Sequence, residues 1–121
     1  MTADSHTVLV VTKDSKISSQ ISAMLIAPMF ETQVVDDFNE ARRLCGERNF
    51  NIVIADFADG EGTDFAVDIS SSLSTILLLT PPQFFEQISY KVEGYGILTI
   101  TSPFDSFYFY NMIKIAIAVQ F

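Results

Sequence analysis

The chain has 121 residues, 49% of them apolar, which suits a single domain with a hydrophobic core spanning 1–121. Its formal charge is −8, and its one tight basic pair, Arg42 and Arg43, sits beside Glu40 and Glu47. Nucleic-acid affinity rests on cations that neutralise phosphates, so this balance excludes direct DNA or RNA binding by the segment. The apolar stretches 76–79 and 113–119 fall well short of the roughly 20 residues a membrane span needs, so no membrane partner is expected. Residues 1–7 lack the basic start and apolar centre of an export signal, and the single cysteine, Cys45, can form no internal disulfide. A cytoplasmic location is the expectation, with Cys45 in a packing role.

Four compact apolar runs, 8–11, 52–55, 76–79 and 97–100, read as buried strands, and 32–35 as a weaker fifth. They are nearly continuous rather than alternating, as when helices cover both faces of a parallel sheet. Between the first two strands, Ile17, Ile21, Met24 and Leu25 share a helical face opposite Ser18, Ser19, Gln20 and Ser22, and Pro28 stops that helix. Asp37 and Glu40 form an acidic capping box ahead of Ala41, Leu44 and Cys45, and that second helix ends near Asn49. A short third helix is expected over 64–71. Thr80, Pro81, Pro82 and Gln83 signal a fourth, with Gln83 placed to cap back, which runs to about Glu93. The last helix begins after Pro103.

Strand then helix, five times over with short connections, implies a doubly wound α/β sandwich of the flavodoxin-like type with strand order 2-1-3-4-5. In such folds the functional crevice lies beyond the carboxyl ends of the strands, where the winding reverses. That rule nominates Thr12, Lys13 and Asp14 after the first strand, Asp56 after the third, Thr80 after the fourth, and Ser102 with Pro103 after the fifth.

On these residues the sequence resembles the CheY-like receiver domains of bacterial response regulators, from Val8 to about Val119. The resemblance implies that Asp56 stands in the phosphoacceptor position and Thr80 in that of the switch hydroxyl, while Pro103 and Phe104 match a proline and aromatic pair. It also implies a cis peptide between Ser102 and Pro103. Segments 40–56 and 92–103 are most similar to receivers of ANTAR-type regulators, whose C-terminal domain binds RNA and causes antitermination. Upstream, the resemblance implies a sensor kinase.

The departures are chemical. Receivers hold magnesium with an acidic pair after the first strand plus the acceptor aspartate, and phosphoryl transfer needs that cation. Here Thr12 and Lys13 occupy the pair positions, Asp14 lies one step late, Ser102 replaces the phosphoryl-contacting lysine, and Thr99 stands where an aromatic switch is common. Magnesium binding should be weak or absent, no other cofactor or metal is indicated, and Lys13 is expected to hold Asp56 in an ion pair. Plain structural roles compete at each position: Thr80 as a cap before Pro81, Ser102 as a residue before proline, Lys13 as a solvated cation.

The acidic loop 56–64 does not have calcium-loop spacing, no phosphate-binding glycine motif exists, and His6 is expected in a frayed N-terminus with no second histidine to build on. No nucleophile with a base, paired catalytic carboxylates or zinc set can be assembled, so an enzyme is not expected. In the last helix Phe109, Ile113 and Ala116 supply the core stripe, while Tyr108, Met112, Ile115 and Val119 form a second apolar face. Such a face suits a second copy of the chain or its own output domain. The expected function is therefore an atypical or pseudo-receiver that signals through dimer or output contacts; the alternative is a conventional phospho-accepting or small-ligand-binding flavodoxin-like module.

Overall fold

A computed structural model describes residues 5–118 of the chain. β1 (His6–Val11), β2 (Phe30–Val35), β3 (Ile52–Asp56), β4 (Thr75–Thr80) and β5 (Leu98–Thr101) form one parallel sheet in the order β2-β1-β3-β4-β5. The crossovers are α1 (Ser15–Met24), α2 (Phe38–Glu47), α3 (Glu61–Asp68) and α4 (Phe85–Val92), and α5 (Ser106–Ala118) follows the last strand. This is the doubly wound flavodoxin-like sandwich, order 2-1-3-4-5, that the apolar runs anticipate.

The strand residues are apolar on both sides because both sides are covered. Val8, Val10, Ile52, Ile54, Leu77 and Leu79 pack with Ile21 of α1 and with Phe109, Ile113 and Ala116 of α5. Their neighbours Leu9, Val11, Val53, Ala55, Ile76 and Leu78 pack on the other face with Phe38, Ala41 and Leu44 of α2, Phe65 and Ala66 of α3, and Ile88 and Val92 of α4. Cys45 is half-buried against this second core, and burial pushes its thiol up from the ordinary range.

Capping explains two helix starts. Asp37 accepts hydrogen bonds from the N–H groups of Asn39 and Glu40, at 3.4 and 3.2 Å, and so begins α2. The box closes from that side only, because the Glu40 carboxylate is engaged by Arg43, whose hydrogen bonds hold it below the usual carboxylate range. At α1 the cap is Asp14, which accepts from the Lys16 N–H at 2.9 Å.

Several boundaries differ from the expectation, each for a local reason. β2 starts at Phe30, since its first residues pair with His6 and Thr7 although the sequence there is not uniformly apolar. His6 is accordingly not frayed: it opens β1, and its N–H donates to the Met29 carbonyl at 2.9 Å. α3 begins at Glu61 rather than 64, because Ala58, Asp59 and Gly60 turn the chain with positive φ values of 46°, 54° and 99°. α4 begins at Phe85 after a 3-10 turn over Pro82–Phe84, and Gln83 makes no capping bond there. β5 is shifted one residue onward, and the Ser102–Pro103 peptide is cis as the resemblance implies.

Phe109 is wholly buried and Phe107, on the same helix, is 76% exposed. Phe109→Ala is expected to cost about 3–5 kcal/mol in urea denaturation, whereas Phe107→Ala should stay within about 0.5 kcal/mol of wild type.

Candidate functional site

The site is set by register. Val11 pairs with Ala55 and Asp56 with Leu79, so the residue after β1, Thr12, comes to lie beside Asp56 at the sheet's carboxyl edge. Backbone bonds extend the ladders past the strand ends: Thr12 N–H donates to the Val35 carbonyl at 3.1 Å, Phe57 N–H to Leu79 at 2.9 Å, and Ser102 N–H to Thr80 at 2.8 Å. These bonds hold the crevice residues at fixed points of the backbone.

Thr12 is 4% exposed and does two things with one hydroxyl. Its Oγ1 donates to Asp56 Oδ2 at 2.9 Å and accepts from the Asp14 N–H at 3.0 Å. Among the described residues, no other side chain is hydrogen-bonded to the Asp56 carboxylate. The ion pair expected between Lys13 and Asp56 does not form. Lys13 is exposed, and the ion pairs of the described residues are Arg42–Asp68, Arg43–Glu40, Arg43–Glu47 and Arg48–Glu31. The physical reason is chain direction: Thr12 turns inward at the end of β1, and the next residue is left outside as α1 is about to start.

Asp14 does not serve as a late crevice acid, because its side chain is spent on capping α1. Thr80 is wholly buried, and its hydroxyl lies 3.5 Å from the carbonyl of Leu78 on its own strand, not on Asp56. Ser102 and Pro103 sit at the end of β5 in the cis turn. Thr99, in the aromatic-switch position, instead shares a 2.8 Å hydroxyl-to-hydroxyl hydrogen bond with Ser89 of α4.

On the outer side of Thr12 a groove of about 540 Å³ is lined by Thr12, Lys13, Ser15, Ser18, Asp36 and Glu40 among others. Asp36 escaped the sequence reading; applying the strand-end rule to β2 as well as to its neighbours would have found it. Among the described residues, no three His, Cys, Asp or Glu side chains converge as a metal would require. A single carboxylate faced by a hydroxyl does not fit a hard divalent cation, which wants several anionic oxygens.

Two further features were illegible in the sequence. Gly62 lies so close over the end of β3 that an added Cβ would collide with the Asp56 carbonyl, so the start of α3 rests directly on that peptide. Phe57, which follows Asp56, stacks on Phe84 with ring centroids 5.1 Å apart and an interplanar angle of 24°. Only the three-dimensional course of the two loops brings these rings together.

The anticipated partner face is narrower than expected. Tyr108 and Ile115, two turns apart on α5, are each 52% exposed, but Met112 is half-buried and packs on the core beneath α1 and α5. Val119 lies outside the described residues. Phe85, Pro103, Phe104 and Tyr108 help line a small cavity of about 190 Å³ where α4 and α5 begin.

No family model and no curated protein matches the sequence. The fold does have counterparts among solved structures, and they are receiver domains. The signal receiver domain of an HD domain-containing protein from Pseudomonas fluorescens Pf-5 superposes with a TM-score of 0.83 at 18% identity, over 97% of this chain and 98% of that one. The chemotaxis response regulator CheY4 of Vibrio cholerae gives 0.80 at 19%, over 93% and 99%. The beryllofluoride-activated NtrC4 receiver domain dimer gives 0.83 at 24%, over 95% and 98%. The fold of the chain is thus that of the CheY-like receivers.

Removing the Thr12 hydroxyl leaves the Asp56 carboxylate and the Asp14 N–H each without a partner. Thr12→Val is expected to destabilise the domain by about 1.5–3 kcal/mol in urea denaturation, the range for a hydrogen bond to a charged group, while a change near zero would mean that water replaces the hydroxyl fully.

Proposed function

We propose that the chain is an atypical receiver domain of a bacterial response regulator, cytoplasmic and not itself an enzyme, whose Asp56 is held by Thr12 instead of serving a magnesium-dependent phosphoryl transfer. The observation that carries this reading is the 2.9 Å hydrogen bond from Thr12 Oγ1 to Asp56 Oδ2, at the place where receivers hold an acidic pair. Phosphoryl transfer to a carboxylate develops negative charge that a cation must offset, and the position of the contacting lysine is filled here by the neutral Ser102. The domain then regulates through contacts, with a second copy of itself or with an output domain of a longer regulator. The likeness of 40–56 and 92–103 to ANTAR-type receivers favours an RNA-binding antiterminator as that output, with a sensor kinase as an upstream partner. The dimeric state of the NtrC4 receiver is a property of that protein; here the support for self-association is the exposed Tyr108 and Ile115.

Two experiments bear on this reading. Incubation with acetyl phosphate and magnesium, followed by intact-mass measurement, should leave the wild type unmodified. The variant Thr12→Asp, Lys13→Asp, Ser102→Lys should gain a phosphoryl group that Asp56→Asn removes. Stoichiometric phosphorylation of the wild type at Asp56 would overturn the proposal. For the partner face, light scattering of the wild type should show a concentration-dependent dimer that Ile115→Glu dissociates without loss of thermal stability; a wild-type monomer at high concentration rules the dimer out.

A further inference from the structure

The stretch 24–30 supplies more apolar surface than the core takes. Leu25 and Phe30 are buried in the core that α1 and α5 cover, while Ile26 and Met29 between them are 63% and 55% exposed. Apolar residues exposed singly are ordinary, but these two do not stand singly. With Met24, Pro28, Phe30 and Tyr110 they line a groove of about 370 Å³ where the end of α1 and the start of β2 meet α5. That volume lies within the range of small-ligand sites, roughly 300–1,000 Å³. Apart from the Tyr110 hydroxyl, the side chains around it carry no hydrogen-bonding group of any strength.

The groove is preformed, because the loop on one side of it is pinned by backbone bonds. Leu25 N–H donates to the Ile21 carbonyl at 3.0 Å, Phe30 N–H to Ile26 at 3.2 Å, and His6 N–H to Met29 at 2.9 Å. Met24 and Met29, unbranched and polarizable, can fit their side chains to an occupant while that backbone stays in place. A cation stands beside the groove: the ammonium of Lys114, one turn along α5, lies 5.6 Å from the centroid of the Tyr110 ring. Lys114 is exposed and takes part in none of the ion pairs of the described residues, so its charge is free to meet a ligand.

An apolar groove beside an unpaired ammonium complements a molecule with an aliphatic chain and an anionic head. We propose that the groove binds a soluble amphipathic carboxylate, with its chain along Ile26, Met29 and Tyr110 and its carboxylate at Lys114. Both halves of such a ligand are needed. The protein's net charge of −8 works against a bare anion, and a neutral chain leaves Lys114 unused. The helical repeat turns Tyr108 and Ile115 well away from Tyr110, so this site is separate from the α5 partner face and from the crevice at Asp56. It stands whether or not the atypical-receiver reading does.

Titration of the full chain with sodium decanoate below its critical micelle concentration, followed by NMR through labelled methionine and isoleucine methyl groups, tests the site. Saturable shifts are expected at Ile26 and Met29, and acetate should shift neither. Lys114→Gln should weaken decanoate roughly two- to fivefold, the range of an exposed ion pair, and leave binding of decanol unchanged. Ile26→Ser, at an exposed position, should weaken both ligands roughly tenfold or more, whereas Leu73→Ser, an exposed apolar residue outside the groove, should weaken neither. Absence of saturable shifts, decanoate affinity unmoved by Lys114→Gln or by Ile26→Ser, or binding to anionic vesicles without binding of soluble decanoate would each overturn the proposal.

Discussion

The hydroxyl of Thr12 and the carboxylate of Asp56 meet because two parallel strands are in a particular register, and the character of the crevice depends on that meeting. Val11 opposite Ala55 leaves the next residue of one strand facing the next residue of the other. A threonine there gives Asp56 one donor and no negative neighbour, and the same oxygen accepts the Asp14 N–H as the chain turns into α1. One oxygen of the carboxylate thereby has its donor within the protein. Two acids at Thr12 and Lys13 would instead repel Asp56 and call for a cation between them.

The fold was legible because its cause is repetitive. Continuous apolar strands between amphipathic segments admit few arrangements once right-handed crossovers are required, and the residues at strand ends follow from that. Asp56, Thr80, Ser102 and Pro103 all lie at the carboxyl edge as the winding rule places them. The side-chain partners were not legible. Lys13 is the nearer electrostatic match for Asp56 in sequence terms, yet the backbone at the end of β1 turns Thr12 inward and leaves Lys13 in solvent. Asp14 reads as a misplaced acid until α1 is seen to start one residue later and take it as its cap. The Phe57–Phe84 stack joins residues 27 apart through two loops of unusual course, and no periodicity encodes it.

Likeness to solved receivers at 16–24% identity is a likeness of backbone. A fold hosts chemistry only through a handful of side chains at its functional edge, and those are the positions where this chain departs. On the proposed reading, a scaffold that keeps β1, β3, β4 and β5 in order while replacing the charged groups at their ends acts through its surfaces rather than through phosphoryl transfer. A signal would then have to arrive as a binding event or as a contact from a neighbouring domain.

The donor set around Asp56 is the point on which this account stands. Titration of the wild-type chain with magnesium to millimolar concentration, followed through the backbone amide resonances of Asp14 and Phe57, addresses it directly. No saturable movement of either resonance is expected; saturating shifts at both, with the ion located beside Asp56, would contradict the lone-carboxylate crevice.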